Sequence, residues 1–150
     1  MILAELLAKE AVLTGLTAST REGVLQELLD PIYKLNPELR GYDTLAALCE
    51  REDMGSTAMG DGVALPHCKI SGLDRIILGA GRSKNGIAFG RSADEELCTI
   101  FFLILAPANE AGMHLRVLAQ LARRAKDPAF RSAILLSETT EQMWQVITAP

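Results

Sequence analysis

Apolar residues first recur at helical spacing a little beyond residue 20. The stripe consists of Val24, Leu25, Leu28, Leu29 and Ile32. The sequence S-T-R-E at Ser19–Glu22 precedes this stripe and has the form of a capping box, which predicts that a helix begins there. Pro31 has no amide hydrogen, so we expect it to bend or interrupt the helix.

A second helix is indicated after Asp43, a residue type that favours helix N-termini. Its apolar positions are Leu45, Leu48 and Cys49. We expect this helix to end at about Arg51 or Glu52, before Gly55. Arg51 would then lie near a helix C-terminus.

Three helices are predicted in the last third of the chain. Asn109 is the expected cap of a helix that runs to about Arg124. Its predicted buried side consists of Leu115, Leu118, Leu121 and Ala122. One shorter helix should open at Asp127-Pro128, and another should run from about Thr140 to Ile147.

Between the helical stripes, apolar residues form continuous runs. Arg75–Gly81 and Leu97–Ala106 are typical of strands covered by helices on both faces. The short run V-A-L-P-H is halted by Pro66 and should place His67 at the end of a strand. Gly86–Phe89 is a candidate for another, shorter strand. The combined pattern predicts an α/β fold with a sheet between layers of helices.

Length and composition fit one compact domain that spans residues 1–150. The chain is 49% hydrophobic, and Leu97–Ala106, its longest apolar run, is about half of the roughly 20 residues that cross a bilayer. With no basic leader before an apolar segment, we expect a cytoplasmic protein without membrane insertion. A net charge of −4 argues against a dedicated nucleic-acid surface.

The three cysteines, Cys49, Cys68 and Cys98, lack the spacing of a disulfide framework or a zinc knuckle. We expect them to be reduced thiols. A metal site built from Cys49, Cys68, His67 and His114 has no ligand spacing to support it. No metal or cofactor is therefore predicted.

Chemistry-bearing residues are concentrated in Arg51–Lys69, where glycines, hydroxyls, an arginine and a histidine occur within nineteen residues. Glycines let a bulky anion approach the backbone, and hydroxyls supply donors. The candidate phosphate ligands of these types are Ser56, Thr57, Gly60 and Gly62. Arg51 adds a guanidinium fork that suits phosphate oxygens. The segment therefore indicates a phosphate-binding site.

Two histidines extend this site towards catalysis. The neutral imidazole of His67 can attack phosphorus and hold the phosphoryl group covalently. His114 lies near a predicted helix N-terminus, where the positive end of the helix dipole favours anions. Taken singly, His67, His114 and Arg51 each have a structural explanation, so only their combination favours phosphoryl transfer. A Cys-His hydrolase that uses Cys68 with His114, and a binding module that accepts no phosphate, stay open as alternatives.

The sequence REDMGSTAMGDGVALPHCK resembles the active-site signature of the fructose/mannitol-type EIIA domains of the bacterial sugar phosphotransferase system. The form RE-x-MGST followed by G-x-G-x-A-[IL]-P-H most resembles the nitrogen-regulatory branch. The similarity continues through GIAF at Gly86–Phe89, LAP at Leu105–Pro107 and HLRVLAQLARR at His114–Arg124. It extends over most of the chain.

This resemblance implies a mixed β-sheet sandwiched between α-helices and a phosphoryl group carried on Nε2 of His67. It makes His114 the second imidazole of the pocket, Arg51 its arginine and Thr57 the motif threonine. The implied donor is a phosphocarrier protein of the HPr or NPr type, and the implied recipient is a regulatory target or an EIIB subunit. We expect a mainly nitrogen or metabolic regulatory role, with sugar transport as the alternative.

Overall fold

The computed structural model describes residues 2–90 and 97–150. The strands are β1 (Leu7–Leu13), β2 (Ala58–Gly60), β3 (Val63–Ala64), β4 (His67–Ile70), β5 (Ile77–Ala88) and β6 (Leu97–Pro107). The helices are α1 (Leu3–Leu6), α2 (Arg21–Leu35), a 3-10 helix (Pro37–Gly41), α3 (Thr44–Met54), α4 (Ala111–Ala125), α5 (Pro128–Leu136) and α6 (Thr140–Thr148). Within the described residues the strands form one sheet of order β1-β5-β6-β3-β2, and β4 also pairs with β6.

Strand β6 holds the sheet together. It pairs antiparallel with β5 and parallel with β3 and β4, so the sheet is mixed. Every residue from 100 to 107 is buried, although alternate side chains of a strand point to opposite faces. Helices α4 and α5 contact β6, and α2 and α5 contact β5. These features confirm the predicted mixed sheet between layers of helices.

The strand that carries His67 differs from its prediction. Strands β3 and β4 follow the same edge of β6, with Val63 opposite Ile100 and His67 opposite Ile104. The ladder is interrupted at Leu65, whose amide donates to the Thr57 carbonyl (3.1 Å), and Pro66 has no amide to donate. His67 therefore begins strand β4, and the prediction that it ends a strand is wrong.

Strand β5 is longer than its apolar run. It continues through Arg82 to Ala88, with a register shift against β6 between Arg82 and Ile87. Gly86 lies in this irregular stretch at φ +78°, where a Cβ would come within 2.9 Å of the Leu97 side chain. The predicted strand at Gly86–Phe89 is therefore not separate: Gly86 to Ala88 form the end of β5, and Phe89 follows it.

Helix α2 forms where the stripe predicts it but begins differently. Thr20 is the N-cap, and its hydroxyl accepts from the amide of Gly23 (3.1 Å), so the predicted capping box from Ser19 to Glu22 does not form. Pro31 does not interrupt the helix, which continues to Leu35. All five predicted stripe residues are buried, and this packing stabilises the helix against the loss of one backbone hydrogen bond.

Helix α3 follows Asp43 as predicted and ends at Met54, two residues later than the latest expected end. The Asp43 side chain makes no capping hydrogen bond. Helix α5 opens at Asp127-Pro128, and the Asp127 side chain accepts from the amide of Ala129. Helix α6 ends one residue beyond the predicted Ile147. None of the helices in the described ranges has both the length and the apolar character to cross a bilayer.

Helix α4 is rotated relative to its predicted buried side. Glu110, one residue after Asn109, is its N-cap. Its fully buried positions are His114, Val117, Leu121 and Ala125, whereas Leu115 is 62% exposed. These positions also have helical spacing, so the helix buries a histidine and leaves a leucine at the surface. The prediction that Leu115 is buried is wrong.

Candidate active site

A pocket of about 490 Å³ opens where α3, β4 and the start of α4 meet. It brings together Arg51 from α3, His67 and Lys69 from β4, and His114 from α4. Its apolar and acidic rim includes Ala47, Glu50, Met54, Leu115 and Leu118. Arg51 and His67 from the predicted phosphate-binding segment thus share one cavity with the distant His114.

His67 is held in a defined tautomer. Its Nδ1 lies 2.7 Å from the carbonyl oxygen of Leu65. A carbonyl can only accept, so Nδ1 carries the proton and donates it to this bond. The lone pair of the neutral ring is therefore on Nε2. Burial lowers the pKa of His67, the hydrogen bond to Leu65 opposes this shift, and the positive charges of Arg51 and Lys69 lower the pKa further. The net shift is downward and favours the neutral ring near pH 7.

His114 lies beside His67 in a drier environment. The ring centroids are 5.1 Å apart and the ring planes are inclined by 52°. His114 is buried, and its Nδ1 has no hydrogen-bond partner. Burial lowers the pKa of His114 to about 4, and the charges of His67, Lys69 and Arg51 act in the same direction. His114 therefore offers a neutral imidazole with a polar atom that needs a partner.

Two cations complete the pocket. Arg51 donates one N–H, on Nη1, to the carbonyl of Gly55 (2.8 Å), which also satisfies the C-terminal end of α3. A guanidinium has five N–H donors, so this bond leaves capacity for an anion. Lys69 was not predicted as a site residue. It lies two residues after His67 on β4 and so projects from the same face, a signal already present in the sequence.

The remaining predicted phosphate ligands lie in the loop after α3 and make local contacts. The Thr57 hydroxyl donates to Glu52, and the Ser56 hydroxyl accepts from the amide of Ala58 (3.1 Å). Gly60, the last residue of β2, and Gly62, in the turn before β3, adopt φ angles of +94° and +76°. None of the four is among the described residues that line the pocket.

The buried environment of Cys68 does not support a role as a nucleophile. Burial raises the pKa of its thiol to about 12, so the reactive thiolate is disfavoured near pH 7. This argues against a Cys-His hydrolase. The parts of the chain that the structure describes also hold no group of three or more His, Cys, Asp or Glu side chains placed to bind a metal ion.

Comparison with known proteins identifies the family. Residues 5–149 match the model of the family described as "Phosphoenolpyruvate-dependent sugar phosphotransferase system, EIIA 2". The chain belongs to this EIIA family. The resemblance seen in the histidine signature is thereby confirmed, and the EIIA family is a phosphotransferase component.

Individual relatives place this EIIA protein near the nitrogen-regulatory branch. It is 33% identical to the nitrogen regulatory protein of Bradyrhizobium diazoefficiens over 153 aligned positions, covering 100% of this chain and 97% of that protein. The nitrogen regulatory protein IIA-Ntr of Neisseria meningitidis matches with a TM-score of 0.84 and 25% identity, over 97% of this chain and 99% of that one.

A solved structure of lower sequence identity shows the same fold in a protein complex. The Escherichia coli enzyme IIAMTL, in its complex with phosphorylated enzyme IIBMTL, matches with a TM-score of 0.73 and 17% identity. The match covers 95% of this chain and 97% of that chain. At this identity the match shows the shared fold.

Proposed function

We propose that this EIIA protein is a single-domain phosphoryl relay that accepts a phosphoryl group on Nε2 of His67 from a phosphohistidine carrier protein of the HPr or NPr type. Its main role is nitrogen or metabolic regulation in the cytoplasm. The observation that carries the proposal is the hydrogen bond from Nδ1 of His67 to the Leu65 carbonyl, because it leaves the lone pair on Nε2.

The bonds that form and break in the transfer involve two imidazoles, that of His67 and that of the carrier's phosphohistidine. The Nε2 lone pair of His67 attacks phosphorus, a new N–P bond forms, and the N–P bond of the carrier breaks with its electron pair returning to the carrier's imidazole. Both ends are phosphoramidates of similar energy, so transfer is reversible. The chain has no G-x-x-x-x-G-K-[ST] sequence, which supports a protein donor rather than ATP.

Arg51 and His114 are the proposed ligands of the phosphoryl oxygens. Arg51 supplies fixed positive charge, and the buried imidazole of His114 can donate one hydrogen bond to the negative charge that spreads over those oxygens. Its low pKa keeps His114 neutral, so it orients the group without forming a full ion pair. A direct phosphate contact for Ser56, Thr57, Gly60 and Gly62 stays a prediction.

A regulatory role follows from the charge that phosphorylation adds. A phosphoryl group places close to two negative charges at a pocket rimmed by exposed Met54 and Leu115, which are 83% and 62% exposed. Such a change can make or break a contact with a target protein. The similarity to nitrogen regulatory proteins favours this use, whereas the fold shared with the mannitol enzyme supports the alternative of transfer to an EIIB subunit.

The test is to incubate the protein with its phosphorylated carrier and to locate the product. We expect an acid-labile label, mass spectrometry that assigns it to the His67 peptide, and phosphorus NMR that shows an Nε2 phosphoramidate. An acid-stable label, or a label on another residue, would contradict the assignment of His67. Adding an EIIB subunit to the labelled protein then separates the two roles, since only the transport role predicts rapid loss of the label to EIIB.

A further inference from the structure

The buried carboxylate of Glu52 is not used by the proposed transfer, although it lies next to Arg51 in the chain. Glu52 has 0% exposure, which is rare for a glutamate unless it is paired. Its two oxygens accept from one residue: Oε2 from the Thr57 amide (3.1 Å) and Oε1 from the Thr57 hydroxyl. The carboxylate thus fixes both the backbone and the side chain of Thr57.

The hydrogen bonds continue from Thr57 to the imidazole of His67. The Thr57 carbonyl accepts from the amide of Leu65 (3.1 Å), and the Leu65 carbonyl accepts from Nδ1 of His67 (2.7 Å). Leu65 is the residue at which the ladder along β6 is interrupted, so its peptide is held by this chain of bonds. A continuous path therefore runs from Glu52 through Thr57 and Leu65 to the ring of His67.

We infer that Glu52 is a positioning residue for His67: by anchoring Thr57 it holds the Leu65 carbonyl in place, and that carbonyl selects the tautomer with a free Nε2. This inference deepens the proposed function and rests on it for its relevance to phosphoryl transfer. In the unphosphorylated protein the Thr57 hydroxyl donates to Glu52, so its role in this inference is to anchor the loop. Glu52 acts through other residues and contacts no phosphoryl group.

The charges around Glu52 are compatible with this role. Burial raises the pKa of Glu52, while the two hydrogen bonds from Thr57 and the positive charges of Arg21 and Arg51 oppose that rise. A carboxylate accepts at both oxygens, which is the arrangement that two donors from Thr57 require. The carboxamide of Glu52→Gln would place an N–H₂ group opposite one of those two donors, so only one of the two hydrogen bonds with Thr57 could form.

The experiment measures the tautomer of His67 in the unphosphorylated protein by side-chain nitrogen NMR at neutral pH. In the unmodified protein we expect Nδ1 protonated and Nε2 unprotonated. Glu52→Gln and Thr57→Val should each shift the ratio of the two tautomers towards protonated Nε2 by about fivefold, as expected for the loss of one ordinary hydrogen bond. Thr57→Ser keeps the hydroxyl and should restore the native ratio.

Asp53→Asn is the matched control. It removes the same charge from the same helix, but Asp53 is exposed, pairs with Arg21 rather than Thr57 and does not line the pocket, so the ratio should not change. An unchanged ratio in folded Glu52→Gln and Thr57→Val would overturn the inference, as would an equal shift in Asp53→Asn. If Glu52→Gln does not fold, Thr57→Val decides. Because the readout precedes phosphorylation, its failure is distinct from failure of His67 to accept phosphate.

Discussion

The two imidazoles of the pocket differ more than their 5.1 Å separation suggests. His67 begins a strand, is partly exposed, and has its Nδ1 satisfied by the Leu65 carbonyl. His114 lies on the buried face of α4, and its Nδ1 has no partner. The environment of His67 suits its proposed role as nucleophile, and that of His114 keeps a neutral polar group buried in the wall of the pocket.

The two proposed roles therefore follow from the environments of the two histidines, since their residue type is the same. A nucleophile must be reachable and must present a lone pair, and His67 meets both conditions. A ligand for developing negative charge gains from low solvent exposure and from having few competing partners, and His114 meets those. Exchanging the residues' roles would require each to take up the other's hydrogen-bonding environment.

The strongest test of the comparison is His67→Ala, which leaves His114 in place. We expect phosphorylation by the carrier to fall by at least about 1,000-fold, because removal of a covalent nucleophile has no substitute. Radiolabelling or intact-mass measurement gives the rate. Labelling of His114 in this variant would mean that the two rings are interchangeable.

His114→Ala should have a smaller effect and should leave the label on His67. Loss of one donor to the phosphoryl oxygens predicts a decrease of roughly 100-fold in transfer rate. His114→Gln retains a donor and should recover part of the rate. Circular dichroism provides the control, since loss of fold in both variants would favour a structural role for His114.

The buried position of His114 also predicts a pH dependence of stability. Its pKa falls from 6.5 to about 4 in the folded chain, so the unfolded chain binds more protons between these values. Above pH 6.5 His114 is neutral in both the folded and the unfolded chain, so its burial costs no stability there. The free energy of unfolding should then fall by roughly 3 kcal/mol as the pH decreases to 4. Urea unfolding across this range measures it.

Glu52 acts in the opposite sense, because its raised pKa favours the folded state at lower pH. A comparison with His114→Gln isolates the histidine contribution. The variant should be less sensitive to acid than the unmodified protein. Equal slopes for the two proteins between pH 6.5 and 4 would show that His114 is not desolvated as the structure indicates.

The sequence predicted the elements of the site better than their detailed contacts. Continuous apolar runs predicted the central strands, since strands buried on both faces leave few positions for polar residues. The density of Arg51–Lys69 placed Arg51 and His67 in one segment, and the structure brings them to one pocket. Lys69 could have been found too, because two residues along a strand share a face.

Other features depend on contacts that periodicity does not encode. On α4, the stripe through Leu115 and the stripe through His114 both have helical spacing, and hydrophobicity alone selects the wrong one. The burial of Glu52 depends on the loop that brings Thr57 back to it, and no local pattern indicates such a pairing. At His114 and Glu52, the contacts of the site place polar residues at buried positions that apolar residues usually occupy.

The positions of both imidazoles depend on strand β6. His67 is paired opposite Ile104 of β6, and β6 runs through Pro107 towards the start of α4, where His114 lies. Their spacing therefore depends on the pairing of β4 with β6 and on the short connection that packs α4 against β6, both of which form as the chain folds. The pocket is therefore preorganised for the proposed transfer: the entropy of bringing the two rings together is lost during folding, and a docking carrier would not need to supply it.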